Sequence, residues 1–118
     1  MTAINFSCTT IPVDDVLRCS WNLTKTELNV LKALDDEVTT NDIRDQHGIS
    51  ISLAQRTLKK LHDHDLVTRR QVNRRDGGYV YVYERRPNAE LGNNIQAIIA
   101  DWCGRAKEAV SDNAFSTD

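Results

Sequence analysis

The sequence predicts a mainly α chain with one small β-hairpin, an α+β arrangement, from three observations. Apolar residues recur at helical spacing in successive segments up to residue 61. The period then changes to two over residues 66–72 and 79–84, with Asp76-Gly77-Gly78 between them as a hairpin turn. After Pro87-Asn88 the helical period returns and lasts for about 22 residues.

Each element has its own local signals. Residues 1–10 show no periodicity and read as an extended arm. A short helix follows, with Thr10 as cap, Pro12 in the first turn and Val13, Val16 and Leu17 on its apolar side. Thr24-Lys25-Thr26-Glu27 has the form of a capping box, in which hydroxyl and carboxylate each satisfy an exposed backbone N–H. Leu28, Leu31 and Leu34, with Val30 and Ala33, then predict a helix over 25–35. A third helix has caps at Thr39-Thr40, a core residue at Ile43 and a stop at Gly48. Ile49-Ser50-Ile51 reads as a tight turn. Ser52 then caps a fourth helix, with Gln55 completing a second box and Ala54, Leu58 and Leu61 as the buried stripe.

At 118 residues the chain suffices for one modest core and an appendage. We divide it into an N-terminal arm and short helix (1–22), a central domain (23–86) and a C-terminal helix and tail (87–118). The net charge of −2 conceals an asymmetry: residues 1–49 carry −4, residues 50–86 carry +5 and residues 87–118 carry −3. A positive centre between negative ends suits a local phosphate-binding surface. No apolar run spans a bilayer and no secretory signal opens the chain, so a cytoplasmic location is expected.

Three helices and a hairpin are the parts of a winged helix-turn-helix, with its helix-turn-helix over residues 39–63. If Ala54, Leu58 and Leu61 face inward, then Ser52, Gln55, Arg56, Lys59 and Lys60 face outward. An α-helix fits the roughly 12 Å major groove of duplex DNA, where Gln55 suits adenine and Arg56 guanine. Lys59 and Lys60 suit phosphate, as do Ser50 and Ser52 at a helix N-terminus. The hairpin adds Arg69 and Arg70 at its base and Arg74 and Arg75 at its tip, the latter suited to a minor groove or flanking phosphates. Arg85 and Arg86 stand equally for further backbone contacts or for a flank of the last helix.

The stretch Leu58-Lys59-Lys60-Leu61-His62-Asp63-His64-Asp65-Leu66-Val67-Thr68-Arg69-Arg70 resembles the L-x-x-L-x-x-x-G-L-V-x-R-R segment of MarR-like regulators. Tyr79-Val80-Tyr81-Val82-Tyr83 resembles the wing of archaeal TrmB-type regulators, and the resemblance spans residues 23–86. Asp65 stands where the family usually has glycine, and aspartate tolerates a left-handed backbone better than most residues. The resemblance implies a dimeric transcriptional regulator. The sugar-binding domain of full-length TrmB proteins finds no room here, so its ligand chemistry is not carried over.

Leu91, Ile95, Ile98, Trp102, Ala106 and Ala109, widened by Ile99 and Val110, make an apolar stripe that needs a partner. The expected partner is the same helix of a second copy across a two-fold axis. No His/Ser/Asp or Cys/His set has a nucleophile context, and the His62-x-His64 spacing does not put both rings on one helix face. No enzyme, metal site or cofactor is therefore expected, and no residue set points to a particular small-molecule effector. Cys8, Cys19 and Cys103 read as ordinary thiols. If Cys19 and Cys103 lay near a dimer interface, oxidation could alter the separation of the recognition helices. The rival to a DNA-binding regulator is a winged helix serving as a protein–protein adaptor, which would need an exposed apolar patch in place of the arginine-rich hairpin.

Overall fold

The computed structural model describes residues 3–5 and 10–113. The first departure from expectation is at the N-terminus. Residues Ala3–Asn5 (β1) and Thr10–Pro12 (β2) form a short antiparallel pair, with Ile4 opposite Ile11. Thr10 Oγ1 donates to Asn5 Oδ1 at 2.9 Å. Three-residue strands are too short to show a period, which is why this stretch reads as an arm. Thr10 is consequently a strand residue and not a cap. Pro12 precedes the first helix, α1 (Val13–Trp21), which buries Trp21.

The next two helices follow from their caps. In α2 (Lys25–Ala33) the Thr24 hydroxyl accepts from Glu27 N, and Glu27 Oε1 accepts from Thr24 N at 2.7 Å. In α3 (Thr40–His47) Thr39 and Asp42 exchange the same pair of bonds, and Gly48 ends the helix at φ 62°. The fourth helix, α4 (Ile51–Asp63), begins earlier than its sequence signals suggest. Ser50, not Ser52, is the cap, and its Oγ accepts from Leu53 N at 3.1 Å. The reading of Gln55 as part of a capping box is therefore corrected, and its side chain is left exposed.

The end of α4 is a Schellman motif. Leu66 N–H donates to Leu61 O, and Asp65 N–H donates to His62 O, both at 3.0 Å. Leu61 and Leu66, the pair such a motif brings together, are fully buried. Asp65 occupies the left-handed position at φ 62°. Its carbonyl accepts from Arg86 Nε at 2.8 Å, and its carboxylate pairs with the same guanidinium. This clamp offsets the roughly 1–2 kcal/mol that a β-carbon costs in that conformation.

Strands β3 (Val67–Asn73) and β4 (Tyr79–Arg85) pair antiparallel, from Val67 opposite Arg85 to Asn73 opposite Tyr79. Gly77 and Gly78 close the hairpin at φ 88° and 78°, angles that strain any residue with a β-carbon. Val38 adds a single bridge to the outer edge of β4, exchanging two 2.8 Å bonds with Tyr83. The core collects Leu28, Val30, Leu31 and Leu34 around α2, Ile43 from α3, Ala54, Leu58 and Leu61 from α4, and Val67 and Tyr83 from the hairpin. The expected apolar stripes of α2 and α4 are therefore the ones that are buried, except that Ala33 is exposed.

Thr57 is also in this core, 1% exposed, and its hydroxyl has no hydrogen-bond partner among the described residues. A buried hydroxyl left unpaired loses its water bonds for nothing. Thr57→Val keeps the shape and removes the polar group, so it should raise unfolding stability by about 1 kcal/mol. Urea denaturation checks this, and an unchanged or lower midpoint would show that the hydroxyl is satisfied in solution.

The chain divides into two compact units, residues Met1–Pro87 and Asn88–Asp118. The second consists of α5 (Asn88–Asn113), longer than the sequence period suggests. None of its residues from 88 to 112 is buried, and Ile99, Trp102 and Val110 are its most exposed large apolar side chains. No helix among the described residues is long and apolar enough to cross a membrane.

Candidate nucleic-acid interface

Helical spacing sorts the side chains of α4 by direction. At about 100° per residue, the buried Ala54, Thr57, Leu58 and Leu61 occupy one arc of roughly 100°. Ser52, Gln55, Arg56 and Lys59 occupy the opposite arc, Ile51 lies at the border of the buried arc about 20° from Leu58, and all five are exposed. Arg56 and Lys59 make no ion pair or hydrogen bond among the described residues, so both charges face solvent. Ser50 is committed to capping, and its hydroxyl is engaged within the helix.

Lys60 departs from the outward set. It lies on the flank of α4 that turns toward α2, half-buried, with Nζ 2.8 Å from Glu27 Oε1. A charge-assisted bond of that length holds the ammonium against its own domain. The sequence reading places Lys60 outward because the three residues of the apolar stripe define a core arc but not where a neighbouring helix ends. The carboxylate across from it could not be assigned without the packing of α2 on α4.

Glu27 thus has two tasks, closing the α2 box and receiving Lys60. Burial pushes its carboxyl pKa up, but the bonds from Lys60 and from Thr24 outweigh burial, and the net shift is downward from 4.5. A carboxylate with a lowered folded-state pKa stabilises the fold above its unfolded value, and that contribution is lost as pH falls through the folded value. The melting temperature should therefore drop more steeply below pH 4.5 in the native protein than in Glu27→Gln. Parallel acid profiles of the two proteins would remove Glu27 as the cause.

The hairpin has two chemically different faces. One carries Arg69, Gln71 and Asn73 opposite Tyr83, Tyr81 and Tyr79. Arg69 lies over the Tyr81 ring at 4.3 Å, and Tyr79 meets Tyr81 edge-on with centroids 5.3 Å apart. The phenol pKa of Tyr79 is raised by its hydrogen bond to Tyr81. The other face carries Arg70, which Glu37 engages through both carboxylate oxygens at 2.7 Å. Glu37 raises the Arg70 pKa further and anchors its guanidinium to the base of the hairpin. Arg70 therefore differs from the free cation expected there. Arg74 and Arg75 sit at the tip, exposed and without an ion pair among the described residues.

Arg85 and Arg86 resolve toward structural roles. Arg85 donates to the carbonyls of Leu31 and Lys32, the latter at 3.0 Å, at the negative end of α2. Arg86 forms the Asp65 clamp. His64 Nδ1 lies 2.9 Å from Lys60 O, and His62 Nδ1 lies 3.9 Å from Asp63 Oδ1, beyond hydrogen-bond distance. No group of three or more metal-ligating side chains occurs among the described residues. Cys19 on α1 and Cys103 on α5 are free and exposed, while Cys8 lies outside the described residues.

A scan against models of known protein families finds no match. A curated protein, the uncharacterized protein MJ1503 of Methanocaldococcus jannaschii, is 33% identical over 112 residues, covering 92% of this chain and 83% of its own. A solved structure described as a possible transcriptional regulator from Methanosarcina mazei Go1 superposes with a TM-score of 0.87 at 34% identity, covering 95% of this chain and 97% of that one. The ST1889 protein of the archaeon Sulfolobus tokodaii superposes at 0.65 with 22% identity, covering 79% of this chain and 93% of its own. This third likeness speaks for the fold alone.

Proposed function

The chain belongs to the family of MJ1503, and from its likeness to the structure described as a possible transcriptional regulator of Methanosarcina mazei and from the cations of α4 and the hairpin that have no ion pair among the described residues we propose that it is a double-stranded DNA-binding transcriptional regulator. One observation carries the reading. The arc of α4 opposite the core holds two unpaired cations, an amide and a hydroxyl, and the neighbouring hairpin tip adds two more arginines. None of these side chains makes an ion pair or a side-chain hydrogen bond among the described residues.

In this reading α4 enters the major groove. Gln55 pairs with adenine through its amide, and Arg56 pairs with guanine through two parallel N–H bonds. Lys59, Ser52 and the N-terminal N–H groups of α4 meet phosphate. The wing, β3–β4, lies on the flank, with Arg74 and Arg75 at the minor groove or its phosphates and Arg69 held in place by Tyr81. We assign Lys60 and Arg70 to the fold, since Glu27 and Glu37 already neutralise them.

The protein acts as a homodimer through the stripe of α5, formed by Leu91, Ile95, Ile98, Ile99, Trp102 and Ala106. A two-fold axis then sets two recognition helices on successive major grooves, about 34 Å apart. Selection of bound sequences from random duplexes should yield a palindrome with half-sites about one helical turn apart. Its affinity should fall steeply as salt rises, because each neutralised phosphate releases counterions. Duplex binding that is absent, or indifferent to salt, would overturn the reading and favour a protein–protein adaptor.

A further inference from the structure

Large apolar side chains exposed among the described residues are few, and their positions are informative. Ile99, Trp102 and Val110 belong to α5, and Ile4 belongs to the N-terminal strand pair. The remaining two, Ile51 and Tyr79, sit on the two elements that carry the free cations. Ile51 is the first residue of α4 and 36% exposed. Its neighbour two positions back, Ile49, is turned further inward. A β-branched residue gains little from a first helical turn, and here 36% of its surface is left open to solvent.

Direction decides what Ile51 can meet. It precedes Gln55 by four residues, so the two lie within about 40° on the helix surface, with Cβ atoms about 5–6 Å apart. Ile51 stands in the first turn, at the border between the buried stripe and the exposed arc, and that turn is the end of a recognition helix that reaches base edges. An aliphatic side chain there cannot bind phosphate or donate to a base. The major groove offers it one apolar group, the 5-methyl of thymine. That methyl belongs to the same A·T pair, or to the one beside it, whose adenine an amide at position 55 would read.

We propose that Ile51 is a specificity-determining residue that packs on a thymine methyl group, next to the base pair read by Gln55. The assignment rests on the DNA-binding reading above and adds to it a base preference that hydrogen bonds do not supply. The test needs no change to the protein. In the selected duplex, each thymine is replaced in turn by deoxyuridine, which removes the methyl and leaves every hydrogen-bonding group in place.

One thymine per half-site should prove sensitive, its replacement weakening binding about 4-fold. That is the equivalent of about 0.8 kcal/mol for one buried methyl group at 1.36 kcal/mol per tenfold. In Ile51→Ala the same replacement should have no effect, while Ile51→Val should retain part of it. Salt-dependent, sequence-selective binding with no sensitive thymine overturns this assignment and leaves the DNA-binding reading standing. Sensitivity that persists in Ile51→Ala also overturns it, since another group would then be the reader. A protein that binds no duplex overturns the reading and the assignment together.

Discussion

Ile99→Asp together with Trp102→Asp is expected to produce a monomer that binds its full palindromic site about 10²–10⁴-fold more weakly than the native protein. The magnitude follows from linkage. When two binding units are joined, the second engages as an intramolecular event, and that gain disappears when the units separate. These two positions are chosen because Ile99 is 38% and Trp102 59% exposed in the single chain, so carboxylates there disturb little within it. In a paired helix face the same carboxylates would be desolvated and set against each other across the two-fold axis. Sedimentation equilibrium reports the mass, and titration of a half-site beside the full site separates loss of pairing from loss of contact. Half-site affinity should be unchanged. A double variant that remains dimeric would place the interface elsewhere than α5.

Arg56→Ala should abolish the preference for one base pair in each half-site. A bidentate arginine–guanine pair is worth about 1–3 kcal/mol of discrimination, and a palindrome contains it twice. The native site should therefore weaken by about 2–6 kcal/mol, while sites already altered at that base pair should be bound almost as before. Lys59→Ala is the control, since loss of a phosphate contact weakens all sequences alike and makes the salt dependence shallower. Selection from random duplexes by each variant checks both outcomes. Retention of the same base preference in Arg56→Ala would mean that the exposed arc of α4 does not face base edges.

Much of this molecule was legible before any coordinates. The Thr24–Glu27 box, the start of α3 at Thr39 and its end at Gly48 are local chemistry, and local signals suffice for them. The hairpin was equally legible, because alternating β-branched and aromatic residues around Gly77-Gly78 have few other uses. Asp65, which stands where the MarR-like segment has glycine, is left-handed. Its stabiliser was not legible, because Arg86 lies 21 residues further along the chain. The β1–β2 pair and the Val38 bridge were hidden for a similar reason, since pairings of one to three residues leave no periodic trace.

The candidate site divides along the same line. Sequence by itself determined the winged-helix order of elements, the buried stripe of α4 and the concentration of positive charge in residues 50–86. Periodicity and composition are properties of neighbours in the chain. Which of those charges stay available was decided only by tertiary structure. Glu27 and Glu37 each reach a cation 33 residues away and pair with Lys60 and Arg70, while Arg56, Lys59, Arg74 and Arg75 have no ion pair among the described residues. Ion pairing depends on a few ångströms of separation in space, and no pattern along the sequence encodes that distance.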